Sequence, residues 1–136
     1  MEPQTIINHR VVMQEDLNHH GTLYAARTAG WFVEAGLIAA ASLTSPENIV
    51  CLKIHGMTFS RPIHLGEVVQ IISKIVCTGR TRLVAYIEMG VKGEKIVHGF
   101  ITFINVDQAG KPLPHGIEIT PVAEEDIALQ EEAKKL

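Results

Sequence analysis

The sequence predicts an α+β fold in which one long helix is followed by an antiparallel sheet wrapped around it. Three observations carry that reading. A nearly unbroken apolar run fills Asp16 to Leu43 without a proline. From Ile49 onward the hydrophobic period switches from that of a helix to two, the spacing of strands. The later apolar segments are separated only by short connections rich in Gly, Lys and Arg, which join antiparallel neighbours.

Taken in order, Thr5 to Val12 is a first strand, carrying Ile6, Ile7, Val11 and Val12. Asn18 and Gly21 supply turn chemistry, and Thr22 is the expected N-cap of the helix. Ala is abundant from there to Ser42 and has the best helix propensity. Thr44, Ser45, Pro46 and Glu47 end the helix, because proline disfavours helical geometry in the residue before it. Leu52, Ile54, Gly56 and Thr58 then alternate with Cys51, Lys53, His55, Met57 and Phe59 as a second strand. Pro62 and Gly66 mark a turn. Glu67 to Cys77, Leu83 to Val91 and Ile96 to Val106 are three further strands, linked through Gly79-Arg80 and through Lys92-Gly93-Glu94. Residues 1–120 form one domain. Residues 121–136 are a charged tail, read as a peripheral helix or a disordered segment, with Glu and Asp near its start and Lys134 and Lys135 at its end in the sense the helix dipole favours.

Within the long helix one carboxylate, Glu34, needs a reason. A helix apolar nearly all round belongs in an interior, where an uncompensated charge costs several kcal/mol. At about 100° per residue, Arg27, Thr28, Glu34 and Ser42 share one third of the circumference with Trp31 and Ile38. The stripe is either the solvated face of a core helix or the wall of a cleft, and the pattern favours the two about equally. Gly30 lies one turn before Glu34 and leaves room above it.

Composition narrows the function classes. Net charge is −3 and no basic run exceeds two adjacent residues, which argues against nucleic acid as a partner. The start of the chain lacks the apolar core of a signal peptide, and no apolar run reaches membrane-spanning length; a cytoplasmic protein without a membrane partner is expected. Cys51 and Cys77 read as small buried thiols rather than a disulfide framework. His19 and His20 are adjacent and form no helical i, i+4 pair, so no metal site is expected.

The run Asn18-His-His-Gly21, Tyr24-Ala25-Ala26 and Glu34-Ala35-Gly36, followed by HGMTFSRPIHLGEVV, Gly79-Arg80-Thr81 and FITFINVDQAGKPLP, resembles the hotdog-fold acyl-CoA thioesterases of the acyl-CoA hydrolase type. The similarity covers about Val11 to Pro114. It implies a hotdog fold, a curved antiparallel sheet around one central helix, and hydrolysis of an acyl-CoA to free acid and CoA with no cofactor beyond the substrate's own CoA. It further implies that Asn18 and Glu34 are catalytic, Asn18 orienting the water or the carbonyl and Glu34 acting as general base or as nucleophile. Tyr24, Ala25, Ala26 and Gly30 would surround the oxyanion and acyl group, the two alanines standing where the family has Gly-Gly. Arg61, Arg80, Arg82 and Lys111 are the cations expected to meet the CoA phosphates, Arg80 first among them; Met57 and Phe59 are either core residues, the commoner role, or walls of the pantetheine tunnel. Ten residues of helix separate Tyr24 from Glu34, about 15 Å of rise, so the resemblance implies a site shared across a homodimer, assembled further into a tetramer or hexamer, where Arg27 could pair with a neighbour's Glu34. A CoA-linked lyase or hydratase and a noncatalytic acyl-CoA-binding protein are the alternatives.

Overall fold

The computed structural model describes residues 1–136. Strand β1 (Ile6–Val11) leads through a polar loop to helix α1 (Ala25–Ala41); β2 (Ile49–Ile54), β3 (Thr58–Phe59), β4 (Val68–Thr78), β5 (Arg82–Val91) and β6 (Glu94–Asn105) come next, and helix α2 (Glu124–Lys134) closes the chain. All pairings are antiparallel, in the order β1-β4-β5-β6-β2, with β3 joined to β6 beyond the end of β2. The β5–β6 hairpin is tight because Lys92 and Gly93 both take positive φ, 50° and 81°, the geometry that matches strand twist in a two-residue turn.

Alternation along the strands divides their side chains between two layers. Val69, Ile71 and Ile75 of β4, Leu83, Ala85, Ile87 and Met89 of β5, and Val97, Ile101 and Phe103 of β6 face α1 and bury its Trp31, Phe32, Ala35, Ala39 and Ala40 in one core. Gly36 lets the helix settle on the sheet, since a Cβ there would lie 3.1 Å from the Phe103 ring. The opposite face of the sheet carries a smaller cluster of Val76, Cys77, Val84 and Tyr86, covered by Leu129 and Ala133 of α2. The C-terminal segment is thus a formed helix docked on the outer face. Lys74, only 6% exposed, pairs there with Asp126 at 2.6 Å, and Gln130 donates to the carbonyls of Val76 and Ile119.

Four local expectations are corrected. Helix α1 begins at Ala25, with Tyr24 rather than Thr22 at its N-cap; Thr22 bridges to His64 and the Leu23 N–H donates to Ile63, so both are taken up by another segment. Thr28 is buried, its hydroxyl donating back to the Tyr24 carbonyl. The second strand does not run on to Phe59 but breaks at Gly56 (φ 123°), whose carbonyl packs against Gly99. Cys51 is exposed on edge strand β2, while Cys77 is buried. No helix is long and apolar enough to cross a membrane.

Candidate active site

The long helix is buried on one side only. Its other side, from Ala25 and Ala26 through Arg27, Gly30 and Glu34 to Leu37 and Ile38, is exposed in the protomer. The Glu34 side chain is 54% exposed, so the carboxylate stands on the open face of the helix and is not buried. A groove of about 480 Å³ runs along this face, lined by Tyr24, Ala26, Arg27, Gly30, Trp31 and Glu34, with Arg10 closing it from β1. No side chain or backbone acceptor takes the N–H groups of Ala25, Ala26 and Arg27, because Tyr24 offers no side-chain cap. These are the unsatisfied donors of the first helical turn, and they carry the positive end of the helix dipole.

Asn18 builds the entry to that turn. Its amide oxygen accepts from the backbone N–H groups of His20 (2.8 Å) and Thr22 (3.2 Å), and its amide nitrogen donates to the Thr22 hydroxyl. The Asn-His-His-Gly stretch is therefore an Asx-type turn, with Gly21 at φ 78°. The His19 and His20 rings lie against each other at the surface, tilted by 42°, and no three His, Cys, Asp or Glu side chains converge as a metal cluster would require.

Arg27 does not reach the Glu34 of its own chain. It is held by Asp16 at 3.2 Å and by the Glu15 carbonyl; Asp16 is nearly buried and also caps the Met13 N–H. The partner of Glu34 is Arg10, whose Nη2 donates to Oε1 at 2.5 Å. Arg10 carried no motif, and the only sequence signal for it was a lone cation in the first strand.

Of the four cations expected at the CoA phosphates, Arg61 is paired with carboxylates of its own chain. Its Nη1 and Nη2 donate to the two Glu67 oxygens (3.2 and 3.3 Å), its Nε donates to Glu94, and Nη1 also donates to the Pro62 carbonyl. The Glu67 hydrogen bonds raise the Arg61 pKa; in return Arg61, helped by the His64 N–H, holds the Glu67 carboxyl below its usual value. Arg80, Arg82 and Lys111 are exposed. Arg80 lines a second groove of about 360 Å³ with Pro114, His115 and Glu118. That groove lies at the far end of β4 from Val69, which pairs with Arg10, roughly 30 Å away at about 3.3 Å per residue. One protomer does not bring these cations to Glu34. Met57 packs against the core and Phe59 is exposed on β3. His55 accepts or donates at 2.7 Å to Thr102, and burial, with Lys53 and Arg82 nearby, lowers its pKa.

A central helix wrapped by an antiparallel sheet, with an open helix start and a carboxylate along one groove, defines a hotdog-fold protein. The family model described as the thioesterase superfamily matches residues 20–97, and the chain belongs to that superfamily. It is 29% identical over 116 residues to the acyl-CoA thioester hydrolase YciA of Salmonella typhimurium, covering 76% of this chain and 84% of that protein. A hexameric thioesterase from Yersinia pestis superposes with a TM-score of 0.73 at 26% identity, over 79% of this chain and 91% of its own. An apo-hexameric acyl-CoA thioesterase gives a TM-score of 0.88 at 24% identity, over 96% and 86%.

Proposed function

We propose that this protein hydrolyses acyl-CoA thioesters to free acid and CoA, each site being completed by a second copy of the chain. The observation that carries the reading is an uncapped, exposed helix start lining the same groove as a single carboxylate. Membership of the thioesterase superfamily supplies the reaction class, and the relatives it brings with it act on acyl-CoA or are hexameric.

Glu34 has one oxygen on Arg10 and the other without a partner. The free oxygen takes a proton from water as the water oxygen bonds to the thioester carbonyl carbon. Negative charge then grows on the carbonyl oxygen, where the unpaired N–H groups of Ala25 and Ala26 stabilise it. Collapse breaks the C–S bond, and the sulfur takes the proton back from Glu34, leaving acid and CoA thiol. Asn18 shapes the turn that presents these donors, Tyr24 walls the acyl group, and Gly30 leaves space beside Glu34.

Helix rise sets the requirement for a second copy. Ala25 and Glu34 are nine residues apart, about 13 Å along the axis, too far for one carbonyl to touch both. The helix start of one copy therefore serves the Glu34 of another, in a dimer assembled further into a tetramer or hexamer. Exposed Leu37 and Ile38 on α1 and exposed Val50, Leu52 and Ile54 on edge strand β2 support such an association, since an apolar open edge invites pairing. Arg80, Arg82 and Lys111 reach the CoA phosphates from a neighbouring copy. The substrate places the enzyme in the cytoplasm and calls for no separate cofactor.

The test offers purified protein acyl-CoAs of several chain lengths and measures free thiol. Thiol release by the parent is expected, with turnover at least about 10²-fold lower for Glu34→Gln. Equal release by the two removes Glu34 from the chemistry; tight acyl-CoA binding without release makes the protein a binder and not an enzyme.

A further inference from the structure

Arg10 stands on β1, its backbone paired with Val69 of β4, so the root of its side chain is fixed by the sheet. The guanidinium crosses to α1 and does two things at once: Nη2 donates to Glu34 Oε1, and its carbon lies 5.3 Å from the centre of the Trp31 ring. Trp31 is 7% exposed and sits three residues before Glu34 on the helix, so it is a rigid shelf on which a planar cation is held by the ring's electron density.

Two grooves meet at this point. One runs toward the helix start, past Gly30 and Ala26 to Tyr24. The other, of about 310 Å³, is lined by Asn8, His9, Ala35, Ile38 and Ile71. Arg10, Trp31 and Glu34 border both. A half-exposed glutamate on a helix would ordinarily sample several rotamers, and a base that wanders loses much of the advantage of proximity. Arg27, the other cation of this face, is occupied by Asp16 and cannot restrain Glu34 within the chain.

We infer that Arg10 is a positioning residue for hydrolysis: braced on Trp31, it pins one oxygen of Glu34 and leaves the other aimed at the attacking water where the two grooves join. The inference rests on Glu34 being the base. An ion pair as exposed as this one adds little to stability, so removing Arg10 leaves the fold in place while freeing the carboxylate.

The experiment compares Arg10→Gln and Arg10→Lys, each alone and combined with Glu34→Gln, in thiol release from acetyl-, butyryl- and octanoyl-CoA, with melting curves as the check on folding. Arg10→Gln is expected to lower kcat by about 10- to 100-fold with KM within about twofold, the pattern of lost transition-state stabilisation with substrate binding left intact. Arg10→Lys recovers part of the loss, because it restores the charge without the flat stacking surface. In the Glu34→Gln background Arg10→Gln has no further effect, since both changes disable the same group. Emission of Trp31, the single tryptophan of the chain, shifts in Arg10→Gln. An unchanged kcat in Arg10→Gln, or a loss that persists undiminished in the Glu34→Gln background, overturns the role given to Arg10 while leaving Glu34 as the base. Full activity of Glu34→Gln removes the base on which the role of Arg10 rests, and absence of thiol release by the parent protein overturns the hydrolase reading itself.

Discussion

Replacing Gly99 by alanine should destabilise this protein far more than the same change at Gly36, and the structure gives the size of the difference. Gly99 lies on β6 where the partner strand is interrupted: β2 ends at Ile54 opposite Ile101, β3 begins at Thr58 opposite His98, and Gly56 bows over the gap. A Cβ on Gly99 would fall 2.2 Å from the Gly56 carbonyl oxygen and 3.0 Å from Phe32 Cζ. Relieving that overlap requires about 1 Å of backbone movement, because the closest atom is a backbone carbonyl oxygen. The movement strains the His55 N–H···Phe100 O hydrogen bond and the packing of Met57 on the core. Overpacking of this kind costs about 3 kcal/mol. Unfolding entropy of about 2.1 cal/mol/K per residue gives about 0.29 kcal/mol/K for this chain, so Tm should fall by about 10 °C. At Gly36 the neighbours are the Phe103 ring at 3.1 Å and Ile87 Cδ1 at 3.2 Å, side-chain atoms that give by a few tenths of an ångström. Alanine also gains about 1 kcal/mol of helix propensity there, and Tm should stay within about 4 °C of the parent. Scanning calorimetry at one protein concentration decides it, since association makes Tm concentration-dependent. A Gly99→Ala protein melting within about 3 °C of the parent, or above Gly36→Ala, refutes the close-approach explanation.

Two further outcomes rest on the polar contacts. Asp126→Ala strips the nearly buried Lys74 of its close partner and leaves only Glu125 at 3.6 Å; a loss of about 3 kcal/mol is expected, seen as a lower urea midpoint with an unchanged m-value, and Lys74→Met in the same background should recover most of it. Glu67, whose folded pKa is held down by Arg61 and the His64 N–H, contributes stability that is complete above its unfolded pKa, about 4.3, and lost as pH falls through the lower folded value. Thermal melts below about pH 5 should therefore fall less steeply with acidification for Glu67→Gln than for the parent, and parallel slopes would show that the Arg61 pair does not couple to folding.

What could be read from the residues was local or periodic. The apolar run before Pro46, the change of period at Ile49 and the Lys92-Gly93 turn lie within short windows, and they suffice to order one helix and the strands around it. What could not be read depended on segments distant in the chain. Thr22 has every local mark of an N-cap, but His64 and Ile63 claim Thr22 and Leu23 and push the helix start to Ala25. Arg27 is the cation nearest Glu34 in sequence, yet within the protomer Asp16 holds it, and the cation bonded to Glu34 is Arg10, 24 residues before it. Arg61 resembled a free cation in a turn until Glu67 and Glu94 closed on it. The tail's low apolar content hid Leu129 and Ala133, which are enough to dock α2 because Val76, Val84 and Tyr86 already offer an apolar surface.

The exposure of Glu34 in the protomer has a thermodynamic consequence for the proposed assembly. Burying an ionised carboxylate alone costs several kcal/mol, and a helix face carrying Leu37, Ile38 and an unpaired glutamate would resist association as strongly as its apolar residues favoured it. With Arg10 already on Glu34 the group that goes into the interface is a pair, and the remaining desolvation cost is the smaller one of a bonded ion pair. In the proposed assembly the contact inferred to orient the carboxylate would therefore also lower the cost of covering it. Covering it there keeps bulk solvent, other than the attacking water, out of the groove and strengthens each electrostatic contact within it, including those of the Ala25 and Ala26 N–H groups with the developing oxyanion. In the proposed assembly a cation on the first strand, held by Trp31 and Glu34, would thus link association to chemistry.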